Sequence, residues 1–223
     1  MLAEKVIKSP PLGRVKPGFR SLGEGSGVGS RKRTLTGIYG GSFNPIHNAH
    51  VRLAMNILRM AQLDEVWFVV SPQNPFKQNL QLLDDDKRLR LVRLALQRHP
   101  RLTACDYEFR LPRPSYMHTT LTRMSADFPD REFVLIIGAD NWERFDQWYR
   151  ADDILRDYRL VVYPRQGSPV DAQSLPPNVQ LVDTPLINMS STDIRQRIRS
   201  GRSIRRMVPK AVAEAIEHEG LYL

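Results

Sequence analysis

From Thr34 onward the chain alternates between continuous apolar runs and apolar residues spaced at the helical period. Leu35 to Tyr39 is a short β-branched and aromatic run, read as a strand that ends in two glycines and turns at Asn44-Pro45. Near Asn48 the period changes: Val51, Ala54, Met55 and Leu58 form the stripe of an amphipathic helix. Glu65 to Val70 is a continuous apolar run, as expected of a strand covered on both faces. After the loop Ser71 to Lys77, Asp84-Asp85-Asp86 opens a helix with acids at its positive end, and Leu89, Val92 and Leu96 supply its buried stripe. Leu102 to Cys105 reads as a strand, and Ser115 is placed to cap a helix carrying Leu121 and Met124. Phe133 to Ile137 and Arg159 to Tyr163 are further strands, followed by a Pro/Ser/Gln-rich connection through Asn178. Ser190 and Asp193 have capping-box spacing at the start of another helix, and Pro209 opens a last one that stops at Gly220.

Strands that alternate with helices imply a parallel sheet wound on both sides, a doubly wound, Rossmann-like α/β fold with ligands at the carboxyl ends of the strands. The Gly40-Gly41 turn, the loop Asn74-Pro75-Phe76-Lys77 and the segment Gly138-Ala139-Asp140-Asn141 each follow a predicted strand, so all three should face one crevice.

Composition narrows this picture. A chain of 223 residues is long enough for one ordinary domain, and 41% hydrophobic content without a long apolar run predicts a soluble protein with no membrane span. One cysteine, Cys105, supports no disulfide framework, and no secretory signal is evident, so a cytoplasmic location is expected. The net charge is +9, yet residues 1–33 alone hold eight basic residues against two acids. Rich in Gly, Pro and Ser, that segment reads as a flexible basic extension to a domain spanning 34–223, with an organelle-targeting peptide as the alternative. The folded part is only mildly basic, which suits small polyphosphates at least as well as nucleic acid.

The candidate chemistry starts at Gly40-Gly41-Ser42-Phe43-Asn44-Pro45-Ile46-His47-Asn48-Ala49-His50. Two glycines let the backbone approach a ligand, the free N–H groups of a helix start attract an anion, and His47 and His50, three apart, can lean over the same group. A zinc reading of His-x-x-His lacks partners, since His99, His118, His218 and Cys105 stand at no ligand spacing. Near the other end, Ser190, Ser191, Thr192 and Arg195 offer hydroxyls, helix amides and a guanidinium as a second anion site.

The first of these stretches resembles the signature of the nucleotidyltransferases with a His-x-Gly-His motif, with Ala49 in place of the usual glycine. Pro114-Ser115-Tyr116, Gly138 to Asn141, Phe145-Asp146-Gln147-Trp148-Tyr149 and Met189 to Arg195 narrow the likeness to the bacterial nicotinate-nucleotide adenylyltransferases, from Leu35 to the closing Gly220-Leu221-Tyr222. The resemblance implies transfer of AMP from ATP to nicotinate mononucleotide, giving deamido-NAD and pyrophosphate in NAD biosynthesis, with Mg²⁺ arriving with ATP and no dedicated protein cage for it. It assigns His47, His50, Lys77 and Arg195 to phosphate chemistry. Gly40, Gly41, Ser42, Phe43, Gly138, Asp140, Arg165, Ser190, Ser191 and Thr192 would line the ATP site, with Asp140 on the ribose and Arg165 over adenine. Asn44, Met117, Trp148 and Tyr149 would form the nicotinate pocket. Two departures touch these roles: Phe76 stands where histidine is frequent before the lysine, and Met117 replaces a common threonine. An enzyme preferring nicotinamide mononucleotide is the near rival; a catalytically silent nucleotide- or nucleic-acid-binding protein is the distant one.

Overall fold

The computed structural model describes residues 32–72, 82–186 and 189–223. All but the last two residues of the basic extension, and the Asn74-Pro75-Phe76-Lys77 loop, lie outside the described residues, and so do the expectations placed on them.

The described chain runs β1 (Thr34–Gly41), α1 (Asn48–Met60), β2 (Glu65–Val70), α2 (Asp85–Leu96), β3 (Leu102–Cys105), α3 (Met117–Asp127), β4 (Arg131–Gly138), the single-turn α4 (Ala139–Trp142), α5 (Ala151–Asp157), β5 (Arg159–Tyr163), β6 (Val179–Leu181), α6 (Ser191–Arg199) and α7 (Lys210–His218). All strand pairs are parallel, in the order β3-β2-β1-β4-β5-β6. This is the doubly wound sheet expected. The chain leaves β1 toward β2 and β3, then crosses back to place β4 on β1's other side, with Tyr39 of β1 level with Ile136 of β4. The two neighbouring strands therefore send their following loops apart and open a crevice between their carboxyl ends.

Strand side chains divide by alternation between two cores. Tyr39, Phe68, Ile136 and Val161 pack with residues of α1, α2, α6 and α7 on one face. Ile38, Trp67, Leu135 and Val162 pack with residues of α3 and α5 on the other. Burial of each such side chain contributes about 1.5–3 kcal/mol, which holds the strand ends, and the loops leaving them, in fixed places.

Three sequence expectations change. Met55 lies on the outer side of α1 and is exposed, while Ile57 joins Val51, Ala54 and Leu58 in the core. Ser115 does not cap α3: Tyr116 holds the N-cap position, and the serine hydroxyl donates to Glu108 instead. β6 was not expected; it has three residues, one of them Gln180, and follows the polar connection directly. Among the described residues no helix is long and apolar enough to cross a membrane.

Candidate active site

The crevice is a cleft of about 850 Å³. Its floor is the loop between β1 and α1, where Phe43 takes a positive φ of 44° and the Asn44-Pro45 peptide is cis. The loop is braced from distant parts of the chain. Arg195 Nη1 donates to the Asn44 carbonyl at 2.7 Å, Ser191 Oγ to the Pro45 carbonyl at 2.9 Å, and the Asn48 backbone N–H to the Met207 carbonyl at 2.9 Å. The amide oxygen of Asn44 accepts from the Leu83 N–H at 3.2 Å. Beneath lies Arg88 of α2, fully buried, whose Nη1 donates to the carbonyls of Ser42 at 2.6 Å and Ser71 at 2.8 Å while Nη2 pairs with Asp85. One guanidinium thus ties the loop after β1 to the end of β2, and its charge is met by a carboxylate and carbonyls rather than left bare.

His47 occupies the N-cap of α1 and His50 its first turn. Their rings stack with centroids 3.6 Å apart, so the expected convergence on one spot is present. The His47 N–H donates to His50 Nδ1 at 3.3 Å, which leaves Nε2 as the proton-bearing nitrogen of a neutral His50 ring. The Phe43 ring meets His50 edge-on at 5.2 Å and fixes it from the side. His47 is 4% exposed, and its Nδ1 has no hydrogen-bond partner. Burial, reinforced by the charge of Arg165 and partly offset by Asp193, pushes its pKa down to about 4. His47 is therefore neutral at ordinary pH. Opposite, Ser190 caps α6 in the predicted box: its hydroxyl accepts from the Asp193 N–H at 3.1 Å and donates to the Asp193 carboxylate at 2.7 Å. The amides of Ser191 and Thr192 head that helix, and Arg195 Nη2 bonds Thr192 Oγ1 at 3.2 Å. Arg195 is thus a brace for the floor as well as a cation in the cleft wall.

At the end of β4, a Cβ on Gly138 would collide with Asp140 Oδ1, so only glycine lets this carboxylate fold back over the strand end. Asp140 lies 3.5 Å from Arg165 Nε, and the Arg165 guanidinium covers the Tyr163 ring at 5.5 Å. Tyr39, buried and raised well above its ordinary pKa chiefly by that burial, hydrogen-bonds Tyr163 behind them. Asp140 and Arg165 both line the cleft, next to one another.

Across from this, Met117, Trp148 and Tyr149 form an aromatic end. Met117 opens α3, and a Cβ on Gly40 would come within 2.9 Å of its Cε, so the glycine makes room for that side chain. Trp148 packs on Phe145 with ring centroids 5.4 Å apart, and Tyr149 is 5.0 Å from Tyr116. Trp148 is partly buried against the second core and also lines the cleft.

The cleft therefore brings together every predicted site residue within the described segments; Lys77 lies outside them. Two residues that the sequence reading missed are Arg88 and Glu108. Arg88 sits inside the helical stripe beside Leu89 and Val92, and only its i, i+3 relation to Asp85 hinted at burial. Among the described residues no three His, Cys, Asp or Glu side chains gather to hold a metal ion.

The family described as cytidylyltransferase-like matches residues 38–197. A Bacteroides fragilis protein named "probable nicotinate-nucleotide adenylyltransferase" is 48% identical over 82% of this chain and 92% of its own length. A Cytophaga hutchinsonii protein of the same name is 45% identical over 81% of this chain and 94% of its own. Among solved structures, Plasmodium falciparum nicotinic acid mononucleotide adenylyltransferase complexed with NaAD superposes with a TM-score of 0.72 over 85% of this chain and 97% of that one, at 19% identity, a likeness of fold. By the matched span and by the identity of its relatives, this chain belongs to the cytidylyltransferase-like family and, within it, to the nicotinate-nucleotide adenylyltransferases.

Proposed function

We propose that the cleft transfers AMP from ATP to nicotinate mononucleotide, releasing pyrophosphate and forming deamido-NAD. The observation that carries this reading is the stacked His47–His50 pair facing the capped start of α6 across one braced loop, at the point where the strand order reverses. A phosphate oxygen of the mononucleotide attacks the α-phosphorus of ATP, the bond from that phosphorus to the bridging oxygen of the β-phosphate breaks, and pyrophosphate leaves. No protein nucleophile is needed, so the protein contributes alignment and charge stabilisation. Amides at Gly41-Ser42 and Ser191-Thr192, His50 Nε2–H and the Arg195 guanidinium are fixed donors for the phosphates before any ligand arrives. His47 is held neutral and so adds no positive charge beside His50. Asp140, already beside Arg165, is suited to accept from ribose hydroxyls.

Divalent magnesium requires six oxygen ligands in near-octahedral order. An ion arriving with ATP would be held by triphosphate oxygens, and its chemistry there would be charge neutralisation on the leaving group.

For the base, the N–H groups at the start of α3 and at Tyr149 favour a carboxylate over an amide, whose NH₂ would meet donors; the Trp148 N–H is already given to the Phe145 carbonyl. Burying such an unpaired group costs about 1–3 kcal/mol. Pyrophosphate release measured with each mononucleotide should favour nicotinate over nicotinamide by about tenfold to a hundredfold in kcat/KM. Equal or reversed efficiencies would move the assignment to the amide substrate.

A further inference from the structure

Glu108 is a carboxylate only 2% exposed, in the single 3-10 turn Tyr107–Arg110 that follows β3, and it lines the cleft. An apolar side chain there would avoid the cost of burying a polar group, so the presence of a glutamate calls for a use. Its partners are hydroxyls from two elements. Ser115 Oγ donates to Oε2 at 2.7 Å, Thr120 Oγ1 to Oε1 at 2.9 Å, and the hydroxyl of Ser71 also bonds the carboxylate. Ser71 follows β2, whereas Ser115 and Thr120 bracket the first turn of α3, two residues before and three after Met117.

We infer that Glu108 is a positioning residue for the acceptor half of the cleft, acting through Ser71, Ser115 and Thr120. It does two things. It ties the start of α3, and with it the Met117 amide, to the end of β2. It also fixes hydroxyl polarity: each hydroxyl has one proton, and a proton given to Glu108 leaves only lone pairs. Ser71 and Ser115, both in the cleft wall, then accept from a ligand and do not donate to it. The sugar hydroxyls of a mononucleotide are the donors they suit, and a carboxylate placed there by mistake is repelled. Burial raises the pKa of Glu108, and the three hydroxyls that donate to it act against that rise. The inference rests on the proposed function only in calling this half of the cleft the acceptor's.

The test is Glu108→Gln, which keeps the size but offers one donor where there was an acceptor, so a hydroxyl must turn. It is assayed with whichever pyridine mononucleotide the unmodified protein turns over, so a wrong choice of base does not decide it. We expect KM for the mononucleotide to rise about tenfold while KM for ATP stays within about twofold, and Ser115→Ala to give the same split at about threefold. In the double variant the two effects should not multiply, since both run through one contact. A rise in both KM values together, an unchanged mononucleotide KM, or independent effects in the double variant would reduce Glu108 to a packing role. If the Glu108→Gln chain does not fold, the split or its absence in Ser115→Ala decides alone.

Discussion

At its phosphate end the cleft is made of backbone turned toward the ligand and braced from behind by the buried Arg88 and the half-buried Arg195; at its acceptor end it is made of rings half in water. Arg88 and His47 are 0% and 4% exposed, whereas Tyr116 and Tyr149 are 40% and 52% exposed. The first arrangement is costly to deform, because moving the loop would break bonds from Arg88, Arg195 and Ser191 at once. The second can adjust by ring rotation. Charge stabilisation in a transfer reaction gains from donors that need no reorganisation, and recognition of a flat ring tolerates some play. The division of labour follows the chemistry at each end.

The largest effect should come from the rigid end. His50→Ala removes a fixed donor, and loss of one such donor typically costs about 10²–10³ in rate, or roughly 3–4 kcal/mol. Steady-state turnover should fall by that factor with little change in mononucleotide KM; unchanged turnover in a folded variant would take His50 out of the mechanism.

A second test of rigidity is acid stability. The folded chain holds His47 neutral down to about pH 4, whereas the unfolded chain protonates it near pH 6.5. Below that value the unfolded state binds the extra proton, so this contribution is complete above about pH 6.5 and is lost as pH falls toward 4. The loss is on the order of 2–3 kcal/mol. Urea unfolding at pH 7 and pH 4 should show a smaller acid loss in His47→Asn than in the unmodified protein. Parallel losses in the two proteins would mean that the buried ring protonates freely in the folded state.

At the aromatic end, Trp148→Ala should lower kcat/KM by about tenfold with either mononucleotide, equivalent to about 1–2 kcal/mol of lost stacking, and leave most of the acid preference in place. A loss of preference as large as the loss of rate would show that the indole, rather than the amides, reads the carboxylate.

The same contrast governs what the sequence made legible. β2, β3 and β5 fall where the apolar runs place them, and the floor of the phosphate end was readable because it is one stretch from Gly40 to His50 whose glycines, turn and helix start act locally. The Ser190 box was legible for the same reason. Ser115 misled because its hydroxyl has two outlets, a local helix N–H and a tertiary carboxylate, and the second wins in the fold. Glu108 gave no signal of its own and Arg88 only its spacing to Asp85: a charge is ordinarily solvated, and only the folded chain shows that these two are buried. β6 is too short for alternation to register.

The braces on the phosphate loop also set an order in time. Arg195 reaches back 151 residues to Asn44, Ser191 reaches 146 to Pro45, and the side-chain amide of Asn48 reaches 158 forward to the Arg206 carbonyl. During synthesis the six strands leave the ribosome before any of these partners, so the nascent sheet can assemble while its nucleotide cradle is still open. The braced cradle therefore cannot be complete until the chain has been made through Arg206.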